Sequence, residues 1–316
     1  MNNVNPNGVW PVMLTPFTKN NEIDYEALER LTNWYIDKGV SGLFSCCQSS
    51  EMFFLSDDEM HKITKTVKKI SHGRVPVISS GHTAEALSEQ AKQIVGIHNA
   101  GADVVILITN RLAKKSESDA VWLNNLQKLL DLIPDDIKLG LYECPYPYKR
   151  LISLDNLEWV SKSGRFYFLK DTSCNAELIE KRVKRVKDTP LKIFNANTAT
   201  LLETLQSGVS GYSGVMAGFH PDLYKWLIEN AIKDNDPQKV QIVDSFLTIA
   251  ALIERQVYPV NAKFYLNKYE QTIMTDNSRA LDSVLLGATE QKEIRNFSVL
   301  TEYFRKFVME EKKKND

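Results

Sequence analysis

The 316-residue sequence predicts an α/β protein, a (β/α)8 TIM barrel followed by a C-terminal helical extension. Three observations predict it. Short β-branched runs recur eight times, roughly 20–35 residues apart, the spacing that strand-plus-helix units need. The runs are almost continuously apolar, as strands buried on both faces of a parallel sheet are. The segments between them carry helical periodicity, and eight alternating units favour a closed barrel over a doubly wound open sheet.

The strand candidates, in order, are GVWPVML (8–14), GVSGLFS (39–45), VPVISS (75–80) and ADVVILIT (102–109), then IKLGLYE (137–143), RFYFLK (165–170), LKIFN (191–195) and GYSGV (211–215). Between the first two, DYEALERLTNWYIDKG places Leu28, Leu31, Tyr35 and Ile36 on one face and stops at Gly39, a C-terminal cap. SDDEMHKITKTVKKI opens with Ser56 and Glu59 in capping-box spacing. TAEALSEQAKQIVGIHNAGA and DLYKWLIENAI repeat the helical pattern. Past about residue 225 only helical patterns follow, so 1–225 is expected to form the barrel and 226–316 the extension.

Composition narrows the function classes. The chain is 43% hydrophobic and 25% charged with a net charge of −1, an ordinary globular balance that gives nucleic acid no purchase. No apolar run reaches membrane-spanning length, and MNNVNPNG has neither the basic end nor the apolar stretch of a signal peptide, so a cytoplasmic location is expected. The basic run EEKKKND reads as a solvated helix end. No phosphate-binding glycine loop occurs, and the five histidines lack metal-ligand spacing. The four cysteines, Cys46, Cys47, Cys144 and Cys174, fall beyond strands two, five and six without C-x-x-C spacing. They are expected to be reduced packing residues, and neither a metal nor a cofactor is expected.

Active sites of this fold lie at the C-terminal ends of the strands. Strand six ends RFYFLKD, which sets Lys170 at the mouth behind aromatic residues. Desolvation there would favour the neutral amine, a nucleophile able to form a Schiff base with a ketone. Position alone leaves equally open a lysine that snorkels to water or pairs with Asp171. Strand five ends at Tyr142, one unit earlier, where a phenol could hold and relay a proton beside that amine or simply pack the barrel top. Strand two leads into SCCQSSE, where Ser49 and Ser50 could cradle a carboxylate together with loop amides, or satisfy their own turn.

GVWPVMLTPF (8–17), the strand-two motif ending in Glu51, Y-x-x-P at 142–145 and LKD at 169–171 occur in order over the whole chain. Together they resemble the dihydrodipicolinate synthase / N-acetylneuraminate lyase family of Schiff-base class I aldolases. The resemblance implies that Lys170 is the Schiff-base lysine and Tyr142 the proton-relay tyrosine. It also implies a homotetramer and a 2-keto acid substrate, pyruvate or a compound that releases it.

The chain departs from that family pattern at its mouth. Cys47-Gln48-Ser49-Ser50-Glu51 stands where the family reads G-[TS]-T-G-E. Ser49 keeps the hydroxyl of the carboxylate position, while Gln48 replaces the hydroxyl that links the relay to Tyr142. Thr109-Asn110-Arg111-Leu112 has no tyrosine to cross a subunit interface, and Pro147 stands near the place of an arginine that holds a second carboxylate, with Lys149 and Arg150 farther on. Ser213 replaces an aliphatic residue on strand eight. Gln48, Ser49, Ser50 and Ser213 are therefore the expected substrate-binding residues. Their polarity suits a hydroxylated substrate such as a 2-keto-3-deoxy sugar acid. The alternatives are 4-hydroxy-tetrahydrodipicolinate synthase activity proper and a keto-acid-binding barrel without chemistry.

Overall fold

The computed structural model describes residues 4–233 and 236–310. The basic C-terminal run, all but its first residue Glu310, lies outside the described residues. Eight parallel strands form one sheet: β1 (Gly8–Val9), β2 (Leu43–Phe44), β3 (Val77–Ser79), β4 (Val104–Ile108), β5 (Leu139–Tyr142), β6 (Phe166–Asp171), β7 (Lys192–Asn195) and β8 (Gly211–Tyr212). From β2 to β8 each strand pairs with the next in sequence, and β1 pairs with β8. The last gap closes where Val12 bridges Phe44, with the Met13 amide donating to the Phe44 carbonyl at 3.0 Å. The fold is the (β/α)8 barrel that the sequence predicts.

The strands are shorter than their apolar runs. Several runs continue past the ladder as buried loop, which keeps them apolar without keeping them paired. β4 is buried at every position, as a strand covered on both faces must be. Trp10, Phe168 and Phe194 fill the barrel interior, with Phe168 and Phe194 stacked at 4.2 Å and Trp10 set edge-on to both.

The helices between strands are α1 (Tyr25–Asp37), α2 (Asp57–Ser71), α3 (Leu87–Asn99), α4 (Asp119–Leu130), α5 (Leu154–Lys162), α6 (Ala176–Val186) and α7 (Leu201–Gln206). α1 buries Leu28, Leu31 and Tyr35 and ends before Gly39, whose φ of +77° suits glycine. Ser56 and Glu59 form the capping box that starts α2. After β8 come α8 (Pro221–Ala231), α9 (Pro237–Ala250), α10 (Val260–Tyr265) and α11 (Ala288–Met309). No helix among the described residues is long and apolar enough to cross a membrane.

Candidate active site

Tyr142 and Lys170 are register partners at the C-terminal ends of β5 and β6. Alternation along a strand sends their side chains into the barrel and the next residues, Glu143 and Asp171, outward. The Lys170 amine lies 4.6 Å from the Tyr142 ring centre and 6.0 Å from that of Phe44. Lys170 is only 2% exposed. No carboxylate among the described residues reaches its amine, because Asp171 turns to Arg182 instead. Burial therefore pushes Lys170 down to about 8, opposed by the Cys47 and Cys144 thiols and the Glu254 carboxylate. Burial likewise holds the Tyr142 phenol well above its ordinary value, so it is a proton donor at neutral pH.

The outward residues form a buried ionic cluster. Arg182 of α6 reaches both Asp171 and Glu143, the latter at 2.6 Å, and all three side chains are fully buried. Glu143 also accepts from the amides of Ile152 at 2.9 Å and Thr172 at 3.0 Å. A buried charge is tolerated when paired and hydrogen-bonded throughout. The cluster fastens the ends of β5 and β6 together just behind the two inward side chains.

The loop after β2 places the remaining expected residues. Tyr142 donates to Gln48 Oε1 across a long 3.5 Å, and the Cys144 thiol approaches the same oxygen at 3.4 Å. An amide oxygen accepts hydrogen bonds but does not pass a proton on, so Gln48 orients Tyr142 without extending a relay. The Ser50 hydroxyl accepts from the Cys47 amide at 2.6 Å and donates to the Cys47 carbonyl at 2.7 Å, which closes its own turn. Ser49 is buried at the mouth, close to the Tyr258 hydroxyl. The Ser49 and Ser50 amides point at the Cys47 sulfur. Ser213, at the end of β8, is fully buried and its hydroxyl has no partner.

Glu51 does something the sequence did not announce. Its carboxylate pairs with Lys263 of α10 and accepts from Ser278 Oγ and the Arg279 and Ala280 amides at 2.6–2.9 Å. It adopts φ +64°, so the turn that aims it is strained for a non-glycine residue. Tyr258 and Glu254, from the segment between α9 and α10, are further mouth residues that sequence reasoning missed. The break at QVYPVN between two helical patterns was their only signal. Asn110 ties down the loop after β5 by donating to the Cys144, Tyr146 and Tyr148 carbonyls at 2.8–2.9 Å. The two cations considered for a second carboxylate are engaged elsewhere: Lys149 donates to the Thr172 carbonyl at 2.8 Å, and Arg150 pairs with Asp119 at 2.9 Å.

All four cysteines are free thiols, and Cys46, Cys47 and Cys144 are buried. Burial pushes Cys46 up to about 12 and Cys144 up to about 11, which leaves them protonated and poor metal ligands. Among the described residues no three metal-binding side chains come together.

Residues 5–273 match the model of the dihydrodipicolinate synthetase family. The chain is 28% identical over 261 residues to a 4-hydroxy-tetrahydrodipicolinate synthase of Staphylococcus epidermidis, covering 80% of this chain and 83% of that protein. The same fold is seen in the chloride-inhibited dihydrodipicolinate synthase of Acinetobacter baumannii complexed with pyruvate, at 19% identity and TM-score 0.83 over 94% of this chain and 99% of that one. It is seen again in YagE, a prophage protein of the dihydrodipicolinic acid synthase family from Escherichia coli K12 in complex with pyruvate, at 18% identity and TM-score 0.83 over 94% and 98%. With the family model spanning most of its length, the chain belongs to the dihydrodipicolinate synthetase family.

Proposed function

We propose that the protein is a class I aldolase or lyase that forms a Schiff base between Lys170 and a 2-keto acid, and makes or breaks the C3–C4 bond. The observation that carries this reading is a buried lysine amine without an ion-pair partner among the described residues, set 4.6 Å from the ring of a buried tyrosine. Pyruvate bound in two structures of the same fold supports the choice of a 2-keto acid.

In the cleavage direction the neutral Lys170 amine adds to C2 of the keto acid, and a proton shift gives the carbinolamine. Tyr142 donates its proton to the C2 hydroxyl, which leaves as water and leaves an iminium and a phenolate. The phenolate takes the proton of the C4 hydroxyl as the C3–C4 electron pair moves into the iminium. An aldehyde departs and an enamine remains. Tyr142 then protonates C3, and one water hydrolyses the iminium to pyruvate and free Lys170. The Ser49 hydroxyl holds the carboxylate, Ser50 keeps the turn in shape, Gln48 orients the phenol, and the unpartnered Ser213 hydroxyl offers a bond to the substrate.

Two features count against 4-hydroxy-tetrahydrodipicolinate synthase activity proper: Lys149 and Arg150 are both committed elsewhere, and no tyrosine stands in the 109–112 loop. A homotetramer remains part of the proposal, and sedimentation would measure it. Incubation with pyruvate and borohydride tests the chemistry. The intact protein should gain one reduced-pyruvate mass, and Lys170→Ala should gain none. Failure of the wild type to gain mass, with pyruvate and with longer keto acids, would refute the reading and favour a barrel that only binds.

A further inference from the structure

Beyond Gln48 and Tyr258 the mouth opens into a cavity of about 330 Å³, within the range of small-molecule sites. Its walls are Phe53, Phe54, Tyr146, Tyr258 and Leu281, with Gln48 at the inner end. Gln48 also accepts from the Tyr142 hydroxyl across 3.5 Å, so a single side chain separates the cavity from the proposed proton-transfer group. Phe53 and Tyr146 pack at 4.8 Å with their planes 60° apart, and the Arg111 guanidinium lies 5.6 Å over Phe53. Phe54 and Tyr146 remain 47% and 50% exposed, a large apolar surface to leave uncovered at a site.

The lining is as informative for what it lacks. Among the described residues it includes no lysine or arginine. Its one carboxylate, Glu51, is already saturated by Lys263, Ser278 and two backbone amides. The Tyr258 hydroxyl lies close to Ser49. A second carboxylate or a phosphate would meet no lysine or arginine in the lining, although the Arg111 guanidinium stands over Phe53 and Arg279 donates to the Phe54 carbonyl outside it, and a polyhydroxylated chain would find few partners for the hydroxyls it must strip of water.

We propose that this cavity receives the group carried on C4 of the keto acid, and that the group is planar and apolar. The substrate class is then a 4-aryl-4-hydroxy-2-keto acid, cleaved to pyruvate and an aryl aldehyde or assembled from them. This rests on the keto-acid reading above and replaces the sugar-acid half of the sequence-based expectation. Phe53, Phe54 and Tyr146 converge only in the folded chain, where they set an aromatic wall beyond the polar residues near Lys170. The bond change is the C3–C4 step already described: its electron pair passes into the iminium, the C4 hydroxyl loses its proton to Tyr142, and C4 becomes the aldehyde carbon.

The test measures condensation of pyruvate with benzaldehyde, glyceraldehyde and aspartate semialdehyde on the full-length protein, beside borohydride trapping with pyruvate alone. Benzaldehyde should exceed each of the others by at least tenfold in kcat/KM. Phe53→Ser and Tyr146→Ser should each lower the benzaldehyde-to-glyceraldehyde ratio at least tenfold, a readout in which loss of folded enzyme cancels. Trapping at Lys170 combined with equal or greater turnover of glyceraldehyde or aspartate semialdehyde, or with turnover of none of the three, would overturn the aryl assignment alone. No trapping would bring down the keto-acid reading and this inference with it.

Discussion

Two buried lysines, Lys170 in the barrel mouth and Lys263 on α10, make an instructive pair. Both are nearly inaccessible, at 2% and 0% exposure, and burial pushes both down to about 8. Their surroundings differ entirely. Lys263 pairs with Glu51, donates to the Asn277 carbonyl at 2.7 Å and lies 4.3 Å over the Phe17 ring. Lys170 faces two aromatic rings and two thiols, feels the Glu254 carboxylate without pairing with it, and its sequence neighbour Asp171 is taken by Arg182. A lowered pKa therefore does not by itself mark a nucleophile. What sets Lys170 apart is that, among the described residues, no carboxylate pairs with its amine at the C-terminal end of the barrel strands, and the proposed function rests on that difference. Lys263 uses the same burial to lock the segment around residues 277–280 onto the loop after β2.

The largest effect expected from breaking this contrast is Lys170→Met. It should abolish turnover, by about 10⁴-fold or more. Thermal unfolding should show a melting temperature no lower than the wild type's, because a buried amine without an ion-pair partner is removed. Lys263→Met should do the reverse. It strands the Glu51 carboxylate, and denaturant titration should show a loss of about 3 kcal/mol. Adding Glu51→Gln to that variant should return part of the loss, since the two residues share one interaction. Tyr142→Phe should slow Schiff-base formation and C–C cleavage by about 10²-fold while leaving the lysine able to be trapped. The smallest effect is that of pH. Because burial lowers the folded pKa of Lys170 to about 8, its reactive neutral form grows as pH rises toward that value. Trapping rates with pyruvate should climb close to tenfold between pH 6 and 7 and level off above about 8. A rise that continues toward pH 10 would mean the amine is solvated.

How much of this was legible in the sequence follows from distance along the chain. Lys170 and Tyr142 were readable because each closes an apolar strand run, and adjacent parallel strands bring their ends side by side. The capping box at Ser56 and the glycine stop at Gly39 were readable because they are local. Ser50 was placed in the right loop, but a hydroxyl can turn to substrate or to its own backbone, and only the folded turn shows it closing on Cys47. Glu51 stood out as part of a motif, yet its partner lies 212 residues away and no local pattern joins them. Tyr258 escaped for the same reason: it reaches the mouth from beyond the barrel. The aromatic cavity escaped because its walls come from the loops after β2 and β5 and from the C-terminal segment, each unremarkable alone.

The comparison of the two lysines is tested most directly by mapping where pyruvate attaches. The protein would be treated with pyruvate and borohydride at pH 8, digested, and the peptides carrying Lys170 and Lys263 quantified by mass spectrometry. The predicted result is near-complete modification of Lys170 with none at Lys263. Equal labelling of both, or labelling of Lys263 with Lys170 untouched, would contradict it.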